Sequence, residues 1–94
     1  MVKSYTELHV ADFEQWRNAY EAFLPQRIAA GEKLYSAGIL NNEAQKVFII
    51  NGWESIEAFE AYSQSPAVKA HYADAGVIDV LQAKLLLEVE NSIH

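Results

Sequence analysis

Residues 53–76 read WESIEAFEAYSQSPAVKAHYADAG, and this stretch predicts two short helices that follow the end of a strand. Ser55 is placed to cap the first helix, because a serine oxygen at that position accepts a hydrogen bond from a free backbone N–H. Ser65 and Pro66 begin the second helix, since proline is well tolerated at the first helical position. Gly76 ends that helix. The stretch therefore brings one tryptophan, two tyrosines and one histidine into a small volume: Trp53, Tyr62, Tyr72 and His71.

Alternating apolar and polar residues predict strands on both sides of this stretch. The predicted strands span residues 2–10, 32–40, 44–53 and 79–90. Asn41 and Asn42 favour a tight turn between the second and third strands, because asparagine tolerates left-handed backbone angles. The inward residues of the last strand are predicted to be Leu81, Ala83, Leu85, Leu87 and Val89.

Residues 12–30 predict a helix with an interruption. Asp12 and the residue three positions on, Gln15, form a capping-box pattern. Pro25 lies inside the helical pattern, so we expect a kink or a break there. Arg27 would fall on the apolar stripe of a straight helix; a solvated arginine after the kink is the favoured interpretation, and an arginine that points into a cavity is the alternative.

The order of elements is strand, helix, strand, strand, helix pair, strand. This order predicts an α+β, ferredoxin-like (split βαβ) domain over residues 1–94, with a four-stranded antiparallel sheet and helices on one face. The other face should carry some combination of Tyr5, Tyr35, Ile39, Phe48, Ile50 and Leu86. Because a large apolar patch is rarely left in water, we expect a homodimer that packs sheet against sheet.

Composition excludes several classes of partner. The chain has 94 residues, no cysteine and a net charge of −6, and its seven basic residues are scattered. Nucleic acid and anionic membrane are therefore not expected partners. The first ten residues alternate in polarity and lack the apolar core of a signal peptide, so we expect a cytoplasmic protein.

The pattern of Trp53, two short helices joined at Ser65-Pro66-Ala67, and a leucine-rich last strand resembles the antibiotic biosynthesis monooxygenase family. The resemblance implies a homodimeric α+β barrel with a pocket between sheet and helices in each protomer. Activities in this family are diverse: some members oxidise aromatic polyketides or quinols with O₂ and no cofactor, others bind and degrade heme, and many have no established reaction. Tyr62 and Tyr72 replace the tryptophan and the heme-ligating histidine of the heme-degrading branch, so a heme binder is the least favoured reading.

Eight residues are candidates for a site. Trp53 and Tyr62 can stack on a planar ligand and Tyr72 can hold its anion, while His71 or His9 can act as a base. Three aromatic residues of the first helix either line the pocket or simply pack the core: Trp16, Tyr20 and Phe23. No residue pattern predicts a metal site. The sequence favours a cofactor-independent monooxygenase that acts on a small aromatic compound, and the alternative is a non-catalytic binding protein or structural dimer of the same fold.

Overall fold

The computed structural model describes residues 2–94, which form a four-stranded antiparallel sheet with helices on one face. The strands are β1 (Val2–Val10), β2 (Glu32–Leu40), β3 (Glu43–Trp53) and β4 (Val77–Leu86), and their order in the sheet is β2-β3-β1-β4. The helices are α1 (Phe13–Ala22), α2 (Leu24–Ala29), α3 (Ile56–Gln64) and α4 (Pro66–Asp74). The predicted ferredoxin-like α+β fold is confirmed.

The first helical region is broken in two, as the position of Pro25 predicts. The backbone N–H of Gln15 donates to the Asp12 carboxylate at 2.8 Å, so the predicted cap begins α1. The break lies at Phe23, and Pro25 then falls in the first turn of α2, where its missing N–H costs little. The favoured interpretation of Arg27 as a solvated side chain is wrong, because its guanidinium is fully buried beneath α2.

The core lies between the sheet and the helices. Ser4, Thr6, Leu8 and Val10 alternate along β1 and point toward the helices, and all four are buried. The apolar members of the core are Leu8, Val10, Trp16, Tyr20, Val47, Ile49 and Ala75. Two polar residues in the first half of β1, Ser4 and Thr6, therefore lie on the same face as its two fully buried apolar residues, Leu8 and Val10.

The last strand departs from its predicted pattern. It ends at Leu86, so Leu87 lies beyond it and is 89% exposed. A register shift places Gln82 opposite Glu7 but Val80 opposite Leu8, which moves the inward position from Leu81 to Val80. Ala83 and Leu85 do face the helices, since they pair with Thr6 and Ser4. The predicted burial of the row is wrong, because β4 is an edge strand and all of its residues except Val77 are exposed.

The sheet face away from the helices carries Tyr5, Phe48, Ile50 and Leu86, as the pairing register of β1 with β3 and β4 indicates. Tyr35 and Ile39 point the other way, because they pair with Asn51 and Val47. The Phe48 ring lies directly over Gly38, where an added Cβ would come within 2.8 Å of the ring. We call the set of Tyr5, Phe48, Ile50 and Leu86 the open face. Its pairing with a second copy stays a prediction.

Within residues 2–94, every helix is too short or too polar to cross a bilayer.

Candidate functional site

A cavity of about 200 Å³ lies between the sheet and the α3–α4 pair. Its aromatic walls are Tyr20, Trp53, Phe59, Tyr62 and Tyr72. Its polar groups are Ser4, Thr6, Asn51, Ser63 and Lys69. Most of its exposed surface is apolar, with a few polar groups that converge on it, which is the usual make-up of a small-molecule site.

Trp53 is held firmly at the end of β3. Its indole N–H donates to the Ser4 hydroxyl at 3.0 Å, across the pair of central strands, and the ring is almost wholly buried. The Tyr62 ring centre lies 4.8 Å away in a tilted arrangement. Ser55 caps α3 by accepting from the Ala58 N–H at 3.1 Å, as predicted, and this cap fixes the start of the helix that carries Tyr62. The cavity wall is therefore a preformed aromatic surface.

The tyrosine hydroxyls of the cavity keep their protons at neutral pH. Burial raises the pKa of Tyr20, Tyr62 and Tyr72 above the ordinary value of 10.0. For Tyr20, the nearby Arg27 guanidinium opposes that rise but does not cancel it. These hydroxyls can therefore donate hydrogen bonds to a ligand but are poor bases.

A buried polar network supports one side of the cavity. Arg27 Nε donates to the Glu32 carboxylate at 2.9 Å, and a second guanidinium nitrogen donates to the Tyr20 carbonyl. Asn51 Nδ2 donates to the same Glu32 oxygen at 2.7 Å and to the Tyr20 hydroxyl at 2.9 Å. Burial raises the pKa of Glu32, although Arg27 and Asn51 both favour its charged form. Only Tyr20 and Asn51 of this network reach the cavity wall.

The two candidate histidines lie away from the cavity. The His71 ring stacks on Phe23 with ring centres 4.0 Å apart, and the residue is only 7% exposed. Burial lowers the pKa of His71, so its ring is neutral at pH 7. His9 pairs with Lys46 and Asp79 on the sheet face opposite the helices. Neither imidazole is part of the cavity wall.

The structure thus divides the eight predicted site residues into two groups. Four of them line one cavity: Tyr20, Trp53, Tyr62 and Tyr72. Trp16 packs in the core, with its ring 4.9 Å from that of Tyr20, and Phe23 lies on the far side of Tyr62 against His71. The remaining two are the histidines described above.

Sequence reasoning missed the polar members of the site. Asn51 shares its strand face with Val47, Ile49 and Trp53, so a polar residue inside a buried apolar row was the available signal. Ser4 shows the same signal in β1. Glu32 gave none, because a carboxylate at the start of a strand is normally solvated.

The cavity does not suit heme. Its volume is below the roughly 300–1,000 Å³ of sites for drug-sized ligands, and heme is larger than most of these. Among the described residues of its wall, no histidine, cysteine or methionine is present, and of the side chains that ligate heme iron only tyrosine occurs there. Residues 2–94 also contain no group of three or more His, Cys, Asp or Glu side chains arranged to hold a metal ion.

The sequence matches no protein-family model and no curated protein. Solved structures do match. SnoaB, a cofactor-independent oxygenase from Streptomyces nogalater, is 11% identical with a TM-score of 0.79, over 96% of this chain and 94% of that one. A candidate antibiotic biosynthesis monooxygenase from Bordetella bronchiseptica is 12% identical with a TM-score of 0.78, over 95% and 97%.

A third similar structure is a candidate antibiotic biosynthesis monooxygenase from Deinococcus radiodurans, which is 18% identical with a TM-score of 0.63, over 100% of this chain and 97% of that one. At these identities the likeness establishes the fold alone. The chain has the fold of antibiotic biosynthesis monooxygenase-like proteins, as the sequence resemblance predicted.

Proposed function

We propose that this protein is a cofactor-independent oxygenase that binds a small phenolic or quinol-like compound in the α3–α4 cavity. The observation that carries the proposal is the cavity itself: aromatic rings form its walls, and three of them belong to tyrosines whose hydroxyls keep their protons. The fold shared with a cofactor-independent oxygenase supports the same reading.

The proposed chemistry needs no group beyond the substrate and O₂. A phenol that gives up its hydroxyl proton to solvent water becomes an electron-rich anion, and this anion reduces O₂ at a ring carbon. One oxygen atom stays on that carbon and the other leaves as water, so a phenol with a free para C–H plus O₂ gives a quinone plus water. The protein must bind the ring, favour the anion and exclude bulk water.

Named residues match these tasks. Trp53 and Tyr62 offer faces and edges for ring contact. The Tyr72 hydroxyl, kept protonated by burial, can donate to the phenolate or to the peroxide formed from it. Lys69 is the one charged side chain among the described residues of the cavity wall, and its ammonium favours a bound phenol in its anionic form. This assignment replaces the histidine base, since both imidazoles lie elsewhere.

The homodimer belongs to this proposal. The open face presents Tyr5, Phe48, Ile50 and Leu86 on the side of the sheet that no helix covers. A second copy packed there would bury these side chains and leave the cavity, on the opposite face, open to ligand.

A non-catalytic binding protein is the second candidate, and one observation favours it. The cavity tyrosines hold their protons and neither histidine reaches the wall, so no ordinary base faces a ligand. Such a protein would bind the same aromatic compounds without turning them over.

Oxygen uptake with 1-naphthol separates the two candidates. We expect the wild-type protein in EDTA-containing buffer to consume one O₂ for each 1,4-naphthoquinone formed. Lys69→Met keeps the aliphatic stem and removes the charge, so it should slow turnover at neutral pH and move the pH profile upward. Lys33→Met, solvent-exposed and outside the cavity wall, is the matched control. Binding of 1-naphthol without O₂ uptake would favour the binding protein instead.

A further inference from the structure

The Asn51 side-chain amide has both of its hydrogens engaged. One is donated to Glu32 Oε2 at 2.7 Å and the other to the Tyr20 hydroxyl oxygen at 2.9 Å. A primary amide carries two N–H donors, so nothing further can be donated from this nitrogen. All three side chains are buried.

The orientation of the Asn51 amide is fixed by the ion pair between Arg27 and Glu32. The Glu32 oxygen that Asn51 meets also accepts from Arg27 Nε at 2.9 Å, and Arg27 is 0% and Glu32 5% exposed. A carboxylate held by a guanidinium can only accept hydrogen bonds. The amide nitrogen must therefore face Glu32, because the flipped amide would set its oxygen against the carboxylate.

The Tyr20 hydroxyl contributes only its oxygen to this network. Its oxygen accepts from Asn51, so its own proton is not used in that contact. Within residues 2–94 that proton meets no acceptor, and the tyrosine lies on the cavity wall. The buried network therefore leaves one O–H donor without an acceptor among residues 2–94, on a side chain that lines the cavity beside Asn51.

We propose that Tyr20 determines ligand specificity by donating its hydroxyl hydrogen to an acceptor oxygen of the ligand, and that Arg27, Glu32 and Asn51 set this polarity. The expected ligands are then aromatic compounds that place a carbonyl or phenolate oxygen next to the Tyr20 hydroxyl. A ligand without such an oxygen leaves a buried donor unpaired, which is unfavourable. The inference rests on the proposed function only in taking the α3–α4 cavity as the ligand site.

The test uses two probes of nearly the same shape. Acetophenone carries a carbonyl oxygen where α-methylstyrene carries a CH₂ group. Protein NMR titrations follow the Trp53 indole N–H and the Asn51 amide signals, which report on the cavity directly. The measured quantity is the affinity for acetophenone divided by the affinity for α-methylstyrene. This ratio is compared between each variant and wild type, so the different water solubilities of the two probes cancel.

We expect Tyr20→Phe to lower the acetophenone preference roughly five- to tenfold relative to wild type, the value of one hydrogen bond in a dry site. Tyr35→Phe is the matched control, because this ring lies beside Tyr20 but outside the cavity wall, and its ratio should equal that of wild type. An unchanged ratio in Tyr20→Phe would overturn the inference.

Asn51→Asp provides a second variant that keeps Tyr20 in place. A carboxyl group at position 51 can accept from the Tyr20 hydroxyl and draw its hydrogen away from the cavity. The acetophenone preference should then fall as in Tyr20→Phe while α-methylstyrene still binds, a result that a purely structural role for Asn51 does not give. If this variant fails to fold, the two tyrosine variants decide the question alone.

The outcomes also separate this inference from the proposed function. If neither probe shifts the Trp53 signal, the cavity does not take aromatic ligands, and both are overturned. If the Tyr20-dependent preference is found but 1-naphthol consumes no O₂, the specificity assignment stands and the oxygenase proposal fails.

Discussion

The guanidinium carbon of Arg27 lies 3.6 Å from the centre of the Tyr20 ring, and both side chains are removed from solvent. Arg27 also lies 4.8 Å from the Tyr35 ring centre and pairs with Glu32. One charged side chain of α2 thus holds α1 and β2 in fixed positions. The cavity wall formed by Tyr20 depends on this contact, since the arginine packs behind the ring.

Removal of this charge should be costly. Arg27→Met fills similar space but leaves Glu32 as a buried carboxylate without its charged partner, a loss that typically destabilises a fold by about 3–5 kcal/mol. The measurement is the free energy of unfolding from urea titration. Arg17→Met is the control, because its pair with Glu21 is exposed and worth about 0.2–1 kcal/mol. A loss below 1 kcal/mol for Arg27→Met would contradict the assigned role of the ion pair.

The fold could be predicted because local and global signals agree. Strand alternation, the Asp12 and Ser55 caps and the Pro25 break each act within a few residues, and the structure contains all of them. The edge strand β4 was predicted less well. Its leucine alternation predicted burial, but burial depends on the register shift at Leu81 and on which strands the helices cover, and neither is a local property.

The aromatic residues of the cavity wall could be predicted from the sequence, whereas the buried polar residues behind it could not. Aromatic residues such as Trp53 and Tyr62 are conspicuous in sequence, and the predicted strand end followed by two short helices placed them together. Arg27 and Glu32 are only five positions apart, yet both are residue types that are normally solvated, so their burial is visible only once α2 has turned back on the sheet. The burial of these two charged groups is set by tertiary contacts, which local patterns do not encode.

The hydrogen bond from the Trp53 indole to Ser4 should be measurable by a double-mutant cycle. Ser4→Ala leaves the indole N–H buried without a partner, and Trp53→Phe leaves the hydroxyl without its donor. We expect a coupling energy of about 1 kcal/mol in urea unfolding. Ser63→Ala is the control partner, since that hydroxyl donates to the Phe59 carbonyl instead. Additive effects in the Ser4 cycle would show that the contact contributes nothing to stability.

Stability should fall in mildly acidic solution because of His71. Burial, and then the Arg27 charge, lower its pKa in the folded state below 6.5, while Asp74 opposes the shift. The unfolded chain therefore binds this proton more readily, so the unfolding free energy decreases as the pH falls below about 6.5 and levels off below the folded-state pKa.

The histidine contribution can be isolated by comparing pH profiles of the unfolding free energy. His71→Gln should show a smaller decrease between pH 7.5 and pH 5 than wild type, while His94→Gln, at the exposed end of the chain, should match wild type. An NMR titration of the His71 ring C–H signals checks the cause. A midpoint at or above 6.5 would refute it.

The open face predicts a dimer that a single charge should disrupt. We expect wild-type protein to sediment at about 21 kDa, twice the 10.6 kDa chain. Phe48 lies at the centre of the sheet on β3, so Phe48→Asp would place a carboxylate in the proposed interface and should give a monomer at micromolar concentration.

The control for this prediction lies on the helical side of the molecule. Ile28 on α2 is 59% exposed, so Ile28→Asp makes the same apolar-to-acidic change on a surface that the sheet-to-sheet dimer leaves free, and its mass should equal that of wild type. A monomeric wild-type protein would contradict the prediction. A dimer that survives Phe48→Asp but not Ile28→Asp would place the interface on the helices, and the open face would then be merely a half-buried surface of one chain.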